Sequence, residues 1–499
     1  MRTPTISLLL ILMLAIMSCE EKPTSASLDV QVFETSEAGN QLTKLTEYDA
    51  EAANDSIVLL PGETFQTITG FGGSFTESSA SLLNQLGKEN RQKVIEAYFG
   101  DSGAKYSLTR THMNSCDFSL SNYSYTPLEG DKELTSFSID EDRDDIIPMI
   151  QEAIAASSDG FKIISSPWTA PPWMKDNNSY VGGKLLPEYY ESWAKFFSKY
   201  HAAYKAEGID VWGFTVENEP LGNGNNWESM HYTPDEMTDF VQNHLGPTLE
   251  ADGVDAKILG YDQNREHLKE WVNSMYRDEA SSKYFDGVAV HWYASTFMYF
   301  PEELQYAHEK APDKHIIQSE GCIDAEVPAW QDDKWYWAKE ATDWGFDWAP
   351  EEDKHRHPKY APVNRYARDL IGCLNNWVDG WVDWNMVLDR QGGPNWFKNW
   401  CAAPVIVDPE QDEVYLTPLY YVMAHFSRYI RPGAKRIGFE HEDDTLMVTA
   451  AQNPDGSIAV VVFNPGEDNR TIELTLQERS TTVPISAKAI QTIVIQNKN

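Results

Sequence analysis

The 499-residue sequence is poor in cysteine and in basic residues. It has 5 cysteines, and no CxxC or Cys/His ligand spacing occurs, so the sequence gives no sign of a zinc site. Lys and Arg total 40 against 77 Asp and Glu, which gives a formal net charge of −37. So acidic a surface repels phosphate backbones and polyanionic substrates. We therefore expect no nucleic-acid partner, whereas a neutral ligand is compatible with the charge.

Long apolar runs are also scarce, and the one near the N-terminus is short. Residues 8–17 follow the basic start Met1-Arg2 and are too few to span a bilayer comfortably. The run ends at Ser18-Cys19, which resembles a bacterial lipoprotein signal. We expect a signal peptide over residues 1–18, a lipidated Cys19 and a polar tether over residues 19–27. The protein would then be extracytoplasmic and membrane-anchored, in the periplasm or at the outer membrane or cell surface. An ordinary signal peptide with an incidental cysteine is the alternative.

The sequence cannot pair the other four cysteines, which are Cys116, Cys322, Cys373 and Cys401. An extracytoplasmic location permits disulfides, but buried free thiols are equally compatible. His355 and His357 stand in a predicted loop without a further ligand, so we expect them at the solvated surface. No GxGxxG turn or P-loop sequence is present. No metal or organic cofactor is expected.

Both ends of the chain have the pattern of short β-strands. Residues 28–33 alternate between apolar and polar near the N-terminus, and similar short β-rich runs recur near the C-terminus. These runs cover residues 445–449, 458–463, 472–476 and 490–495. Turn residues separate them, as in a β-sandwich. We predict a discontinuous β-sandwich domain built from residues 28–65 and 429–499.

Between these ends, over residues 66–428, predicted strands and helices alternate. One predicted helix carries the apolar stripe Trp193, Phe196, Phe197 and Tyr200, and another begins at Thr233-Pro234. Eight strand–helix units favour a closed (β/α)8 barrel, with a doubly wound open sheet as the alternative. The predicted strands cover residues 68–75, 106–112, 161–167, 211–218, 256–261, 287–293, 315–320 and 381–386.

Polar residues at the ends of these strands indicate the chemistry. In a (β/α)8 barrel the active site lies at the carboxyl ends of the strands. The fourth strand runs into Glu217-Asn218-Glu219 and the seventh ends at Ser319-Glu320. Two opposed carboxylates are what glycoside hydrolysis requires. In so acidic a chain some carboxylates reach strand ends by chance. However, most of the other strands end in Trp, His, Asn or Asp, a set that suits a sugar pocket.

Nine short motifs, distributed over nearly the whole chain that would follow the signal peptide, strengthen this interpretation. They are Gly70–Thr76, Ser115–Ser119, Ser166–Thr169, Glu217–Pro220, Val290–Tyr293, Ser319–Glu320, Asp383–Asn385, Gly392–Trp396 and Pro404–Asp408. Together they resemble glycoside hydrolase family 30, the family of glucosylceramidases and related β-glycosidases.

The resemblance implies a role for each matching residue. Glu219 would be the acid/base and Glu320 the nucleophile. His291 and Trp292 match supporting positions near the nucleophile. Arg110 would orient carboxylates or form a structural ion pair, and Glu217, one layer deeper, is a competing acid. The positions that would hold the sugar are Asp117, Trp168, Asn218, Trp384 and Asn399.

Two segments depart from the family's glucosylceramidases and bear on the substrate. The loop over residues 221–227 and the insertion over residues 330–360 are polar and aromatic rather than apolar, which disfavours ceramide. We expect a retaining exo-β-glucosidase that releases glucose from a neutral β-glucan or oligosaccharide, with β-1,6 linkages favoured. The alternatives are an endo-β-1,6-glucanase, a glucosylceramidase, and a β-xylosidase or β-fucosidase. A non-catalytic glycan-binding lipoprotein is the alternative outside enzymes.

Overall fold

In a computed structural model of the protein, the described residues are 26–46, 52–224, 226–324, 329–342, 349–442 and 445–497. The predicted signal peptide and Cys19 lie outside them. Within the described ranges, no helix has the length and apolar character needed to cross a membrane.

Eight parallel strands close into a barrel, which confirms the predicted (β/α)8 fold. Each strand pairs with its neighbours in sequence, and the eighth pairs with the first. The barrel strands are Gly70–Phe75, Leu108–Met113, Lys162–Pro167, Gly213–Thr215, Lys257–Asn264, Gly287–His291, His315–Glu320 and Gly380–Asn385. Shorter strands outside the barrel are Ile323–Asp324, Val387–Asp389, Cys401–Ala402, Val405–Asp408 and Glu413–Leu416.

Helices surround the barrel and bury the predicted apolar faces. The helix Tyr190–Ala206 buries all four residues of its aromatic stripe. Thr233 caps the helix Pro234–Phe240 through a capping box with Glu236, as its sequence predicts. The α-helices are Glu77–Gln85, Lys88–Phe99, Ile146–Ala156, Tyr190–Ala206, Pro234–Phe240, Gly246–Asp252, Leu268–Met275, Glu279–Ser282, Pro301–Lys310, Asp333–Trp337, Pro362–Asn375 and Pro418–Ser427.

A ten-stranded sheet joins the two ends of the chain in a separate β-sandwich. Val30–Ser36 pairs with Ala489–Ile495, so the N-terminal strand completes the C-terminal unit. Apolar residues from strands across the whole sheet form one core. In order across the sheet, the strands are Ala26–Ser27, Arg479–Ile485, Arg470–Leu476, Asp55–Thr67, Lys435–His441, Met447–Gln452, Ile458–Asn464, Ala489–Ile495, Val30–Ser36 and Thr43–Leu45.

The backbone is irregular at the carboxyl ends of the barrel strands, and this irregularity directs side chains into the mouth of the barrel. The pairing of the fifth and sixth strands skips Asp262, because Ala289 pairs with Tyr261 and Val290 with Gln263. Such a bulge redirects the extra residue. Tyr261 and Asp262 both have positive φ, at 74° and 60°, which is unusual for residues other than glycine. The sheet therefore turns the Asp262 carboxylate toward its centre.

Candidate active site

A pocket of about 380 Å³ opens at the carboxyl ends of the strands. Seven of the nine residues predicted from the sequence line it. These seven are Asp117, Trp168, Asn218, Glu219, Glu320, Trp384 and Asn399. The pocket is also lined by Gly222, Asn223, Asn226, Trp227, Gln263, Asn264, Tyr293 and Asp324.

Glu219 and Glu320 lie close together in this pocket. Their nearest carboxylate oxygens are within 4.8 Å of each other, and a ring nitrogen of His291 is within 4.8 Å of both. Glu219 has a φ of 51°, and its N–H donates to the Asp262 carbonyl at 2.9 Å. A non-glycine residue in this conformation is strained, and such strain recurs at functional sites. The fourth strand thus ends its regular pairing in order to present this carboxyl group.

Arg110 is fully buried beneath the pocket and contacts four polar side chains, of which Glu320 and Asn218 line the pocket. Its guanidinium forms an ion pair with Asp262 at 2.8 Å and another with Glu320. It also donates to Asn218 Oδ1 at 2.7 Å and, through Nε, to Ser166 Oγ at 2.9 Å. A planar fork of donors fixes several acceptors at once. Both readings of Arg110 from the sequence therefore apply, since its ion pairs also orient the carboxylates.

His291 lies below the pocket between Asp262 and the two acids. Nε2 is 2.9 Å from Asp262 Oδ1, and Nδ1 is 3.4 Å from Glu219 Oε1. Burial alone would lower the pKa of His291, but the charges of Glu320 and Asp262 and these hydrogen bonds raise it to about 9. Burial would raise the pKa of Asp262, but the positive charges of Arg110 and His291 lower it below its usual range. At neutral pH these shifts favour an imidazolium on His291 beside an ionised Asp262.

Tyr293 completes the surroundings of Glu320. Its hydroxyl donates to Glu320 Oε1 at 2.9 Å, while Arg110 donates to Oε2. Burial raises the pKa of Glu320, and the charges of His291 and Arg110 oppose that rise. Both oxygens are therefore held by donors, and the carboxylate is fixed in one orientation.

Two stacked indoles form one wall of the pocket. The rings of Trp168 and Trp384 lie 5.1 Å apart at an interplanar angle of 25°, and Arg110 stands 4.7 Å from the centre of the Trp168 ring. Beside them, Asn399 donates to Asp117 Oδ2 at 3.3 Å. Burial, followed by the charge of Glu320, raises the pKa of Asp117 well above its usual range. The wall combines flat apolar faces with polar groups that can bind hydroxyls.

Two predicted residues are placed behind the pocket rather than in its lining. His291 acts from below, as described above. Trp292 is buried, and its Nε1 donates to the Cys322 carbonyl at 3.1 Å. A Cβ at Gly321 would lie 3.0 Å from the Trp292 ring, so the glycine after Glu320 allows this close packing. Trp292 therefore positions the backbone that carries Glu320.

Two other expectations need correction, one on the insertion and one on His357. No described residue of the insertion over residues 330–360 lines the pocket, and Trp330 and Tyr336 pack against Tyr415 instead. His357 is buried, not solvated, although His355 is exposed.

Glu217 is fully buried outside the lining, as its deeper position predicted, and burial raises its pKa well above the usual range. The four cysteines from Cys116 onward are free and buried.

The sequence did not single out Asp262, Gln263, Asn264 or Tyr293 as site residues. Asp262 lies one residue beyond the predicted end of the fifth strand, and only a bulge brings it inward. Tyr293 was part of a recognised motif, His291-Trp292-Tyr293, and could have been found there. The N–H of Tyr293 donates to Asn264 Oδ1 at 2.9 Å, a contact between strand ends that no local pattern predicts.

Comparisons with known proteins match both parts of the chain. Residues 68–430 match the glycosyl hydrolase family 30 TIM-barrel domain, and residues 433–493 match the glycosyl hydrolase family 30 β-sandwich domain. The mouse lysosomal acid glucosylceramidase is 32% identical over 432 residues, 85% of this chain and 79% of that protein. An endo-1,6-β-D-glucanase of Neurospora crassa is 29% identical over 421 residues, 81% and 80% of the two chains. The solved structure of an endo-β1,6-glucanase matches with a TM-score of 0.81 and 29% identity, covering 94% of this chain and all of that one.

The raised pKa of His291 predicts a pH dependence of stability. An unfolded histidine has a pKa of about 6.5, whereas His291 in the folded protein has one of about 9. Its contribution is thus fully present below about pH 6.5 and is lost as pH rises through about 9. The free energy of unfolding of the wild type relative to His291→Gln should fall by up to about 3 kcal/mol over that interval. A difference that is constant with pH, in urea titrations, would contradict the raised pKa.

Proposed function

Because the chain belongs to glycosyl hydrolase family 30 and is a glycoside hydrolase, we propose that it is a retaining β-glucosidase that removes glucose from a neutral β-glucan or oligosaccharide. The observation that carries this proposal is the close pair of carboxyl groups on Glu219 and Glu320. Retaining enzymes place their two carboxyl groups about 5–5.5 Å apart, whereas inverting enzymes need about 6.5–9.5 Å to admit water between them. Carboxylate oxygens within 4.8 Å favour retention.

Glu320 is the proposed nucleophile. Arg110 and Tyr293 hold its two oxygens, and the positive charges of Arg110 and His291 favour its ionised form. The carboxylate attacks the anomeric carbon and forms a covalent glycosyl-enzyme. Its fixed orientation lowers the entropic cost of reaching the attacking geometry.

Glu219 is the proposed acid/base. His291 Nδ1 lies 3.4 Å from Oε1, and an N–H at this position leaves Oε2 to carry the proton. Glu219 protonates the leaving oxygen in the first step and then takes a proton from the water that releases the sugar. The barrel fixes Glu219 and Glu320 on either side of the glycosidic bond. The same pocket can therefore form the glycosyl-enzyme and hydrolyse it.

The sugar would lie against the indole wall. Asp117 and Asn399 offer acceptors and donors to its hydroxyls, while Trp168 and Trp384 offer flat faces. A pocket that uses buried polar groups for each hydroxyl discriminates strongly against a sugar lacking one of them. This set supports a hexose over xylose.

The residues on the proposed aglycone side of the pocket, which would hold the leaving group, support a glycan rather than ceramide. Its lining includes Asn223, Asn226 and Trp227. The ring centres of Trp227 and Phe397 are 5.3 Å apart in an edge-on arrangement. Amides beside an indole suit a second sugar unit, and we propose β-1,6 linkages. An endo-β-1,6-glucanase is the second candidate, favoured by the two relatives of that activity at 29% identity.

We also propose that the protein is an extracytoplasmic lipoprotein held in the membrane by lipid on Cys19. The support lies in the sequence alone, in the short apolar run that ends at Ser18-Cys19. The tether that follows would hold the barrel away from the membrane surface.

Replacing either acid should separate their roles. Glu320→Gln should abolish turnover of every substrate, because no nucleophile remains. Glu219→Gln should slow natural glycosides by about 10²–10⁴-fold but affect aryl glycosides with good leaving groups far less. Steady-state kinetics on both substrate types measure this. Equal losses on the two types would remove the acid role from Glu219, and Glu217→Gln serves as the control for a nearby buried carboxyl.

Product analysis should identify the substrate. Incubation with gentiobiose, a β-1,6-glucan, a β-1,6-branched β-1,3-glucan and glucosylceramide should release glucose from the β-1,6-linked substrates at the highest kcat/KM. Glucose as the first product supports exo action, and a ladder of oligosaccharides indicates the endo candidate. Faster release of xylose or fucose from aryl glycosides would overturn the glucose assignment. Preference for glucosylceramide over every glucan would overturn the argument from Asn223, Asn226 and Trp227.

The anchor has a direct test. Cys19→Ala in the full chain should yield an active enzyme that no longer fractionates with membranes, because lipid attachment requires that thiol. Membrane fractionation of cells expressing each form measures it, with Cys373→Ala as a matched cysteine control. A Cys19→Ala protein that remains with the membrane after processing refutes the lipoprotein assignment.

A further inference from the structure

Three potential metal ligands converge beside the active-site pocket. The sulfur atoms of Cys322 and Cys401 are 3.5 Å apart, and both thiols donate to Asp324 Oδ1, at 3.0 and 3.3 Å. The strands Ile323–Asp324 and Cys401–Ala402 pair antiparallel, with Asp324 opposite Cys401. A small sheet therefore holds the three side chains in place.

The separations between the three ligand atoms fit the coordination shell of a tetrahedral ion. Zinc binds thiolate at about 2.3 Å and carboxylate at about 2.0–2.2 Å, so its ligand atoms stand about 3.5–3.8 Å apart. The observed distances of 3.5, 3.0 and 3.3 Å need shifts of only a few tenths of an ångström. Both cysteines are free thiols in the structure, so both sulfurs are available to an ion.

We propose that Cys322, Asp324 and Cys401 bind one thiophilic divalent cation, such as Zn²⁺ or Cd²⁺. Two sulfurs and a carboxylate form a ligand set that favours these ions over Mg²⁺ or Ca²⁺. Asp324 lines the active-site pocket, which gives an ion a route from solvent. The formal net charge of −37 raises the local concentration of cations.

Binding at this site is coupled to protons. Cysteine binds a metal ion as the thiolate, so both thiols must give up their protons when the ion binds. The ion forms two metal–sulfur bonds and one bond to the Asp324 carboxylate. Two S–H bonds break, and their protons pass to solvent. No oxidant is required. Affinity should therefore increase as pH rises.

An ion here would act on the nucleophile through Tyr293. The Tyr293 hydroxyl lies 2.9 Å from Glu320 Oε1 and 3.5 Å from the Cys322 sulfur. A metal-bound Cys322 is a thiolate and a better hydrogen-bond acceptor than a thiol, so it competes for the phenol proton. Occupancy should then slow hydrolysis. This effect on rate rests on the proposed function, whereas the binding itself does not.

Titration of the reduced full chain with Cd²⁺ tests the binding. We expect one ion per chain by equilibrium dialysis, together with the ultraviolet charge-transfer band of cadmium thiolate. Cys322→Ser and Cys401→Ser should weaken binding more than about tenfold. Cys373→Ser is the matched control, because that buried thiol also donates to a carboxylate, Asp369, at 3.3 Å. Where Cys322→Ser fails to fold, Cys401→Ala serves as the second variant. Absence of the band in the wild type, or its persistence in Cys401→Ser, overturns the proposal.

Cd²⁺ binding to the inactive variant Glu320→Gln, and Cd²⁺ inhibition of active forms, distinguish binding at this site from binding at the catalytic carboxyl groups. Glu219, His291 and Glu320 also offer three ligand atoms within 4.8 Å of one another. Glu320→Gln, which should have no activity, should still bind one Cd²⁺ with the thiolate band. In the wild type, Cd²⁺ should inhibit and a chelator should restore activity. Equal inhibition of the wild type and Cys401→Ser would assign the effect to the catalytic carboxyl groups and overturn the coupling through Tyr293.

Discussion

The buried guanidinium of Arg110 is the interaction on which the rest of the site depends. It lies at the centre of the barrel, fully buried, and pairs with Asp262 and Glu320 while it donates to Asn218. Without it, Asp262 and Glu320 would keep only the charge of His291, and removal of one partner from a buried pair costs about 3–5 kcal/mol. The indoles of Trp168 and Trp384 lie over it and exclude water, which strengthens these electrostatic interactions.

That constraint explains why the backbone is irregular at the barrel mouth. The bulge at Asp262 and the positive φ of Glu219 both bring acidic groups toward Arg110 and His291. Each irregularity is unfavourable locally, so the surrounding ion pairs must stabilise it. The result is a pocket in which Glu320 is held by two donors and Glu219 by one. The different surroundings suit one carboxyl group to attack and the other to transfer a proton.

The sequence predicts the periodic parts of this structure and misses the parts that depend on register. Eight strands and the capped helix at Thr233 follow from local patterns. The strand Asp55–Thr67 was missed, because Pro61-Gly62 in its middle has the composition of a turn. Asp262 depends on a bulge, and Cys322 and Cys401 are 79 residues apart in the chain. Glu219 and Glu320 were predicted because they close predicted strands and match motifs of the family. Glu320 does end its strand, whereas Glu219 lies four residues beyond Gly213–Thr215.

The most direct test of the central claim is to trap the sugar on the nucleophile. An activated 2-fluoro glucoside forms the glycosyl-enzyme faster than water can release it, because the fluorine slows both steps and the good leaving group restores the first. Peptide mass spectrometry of the treated protein should then find one fluoroglucosyl group per chain, on the peptide that contains Ser319-Glu320, and none in Glu320→Gln. A label on Glu217 or Glu219, or inactivation without any covalent label, would contradict the account.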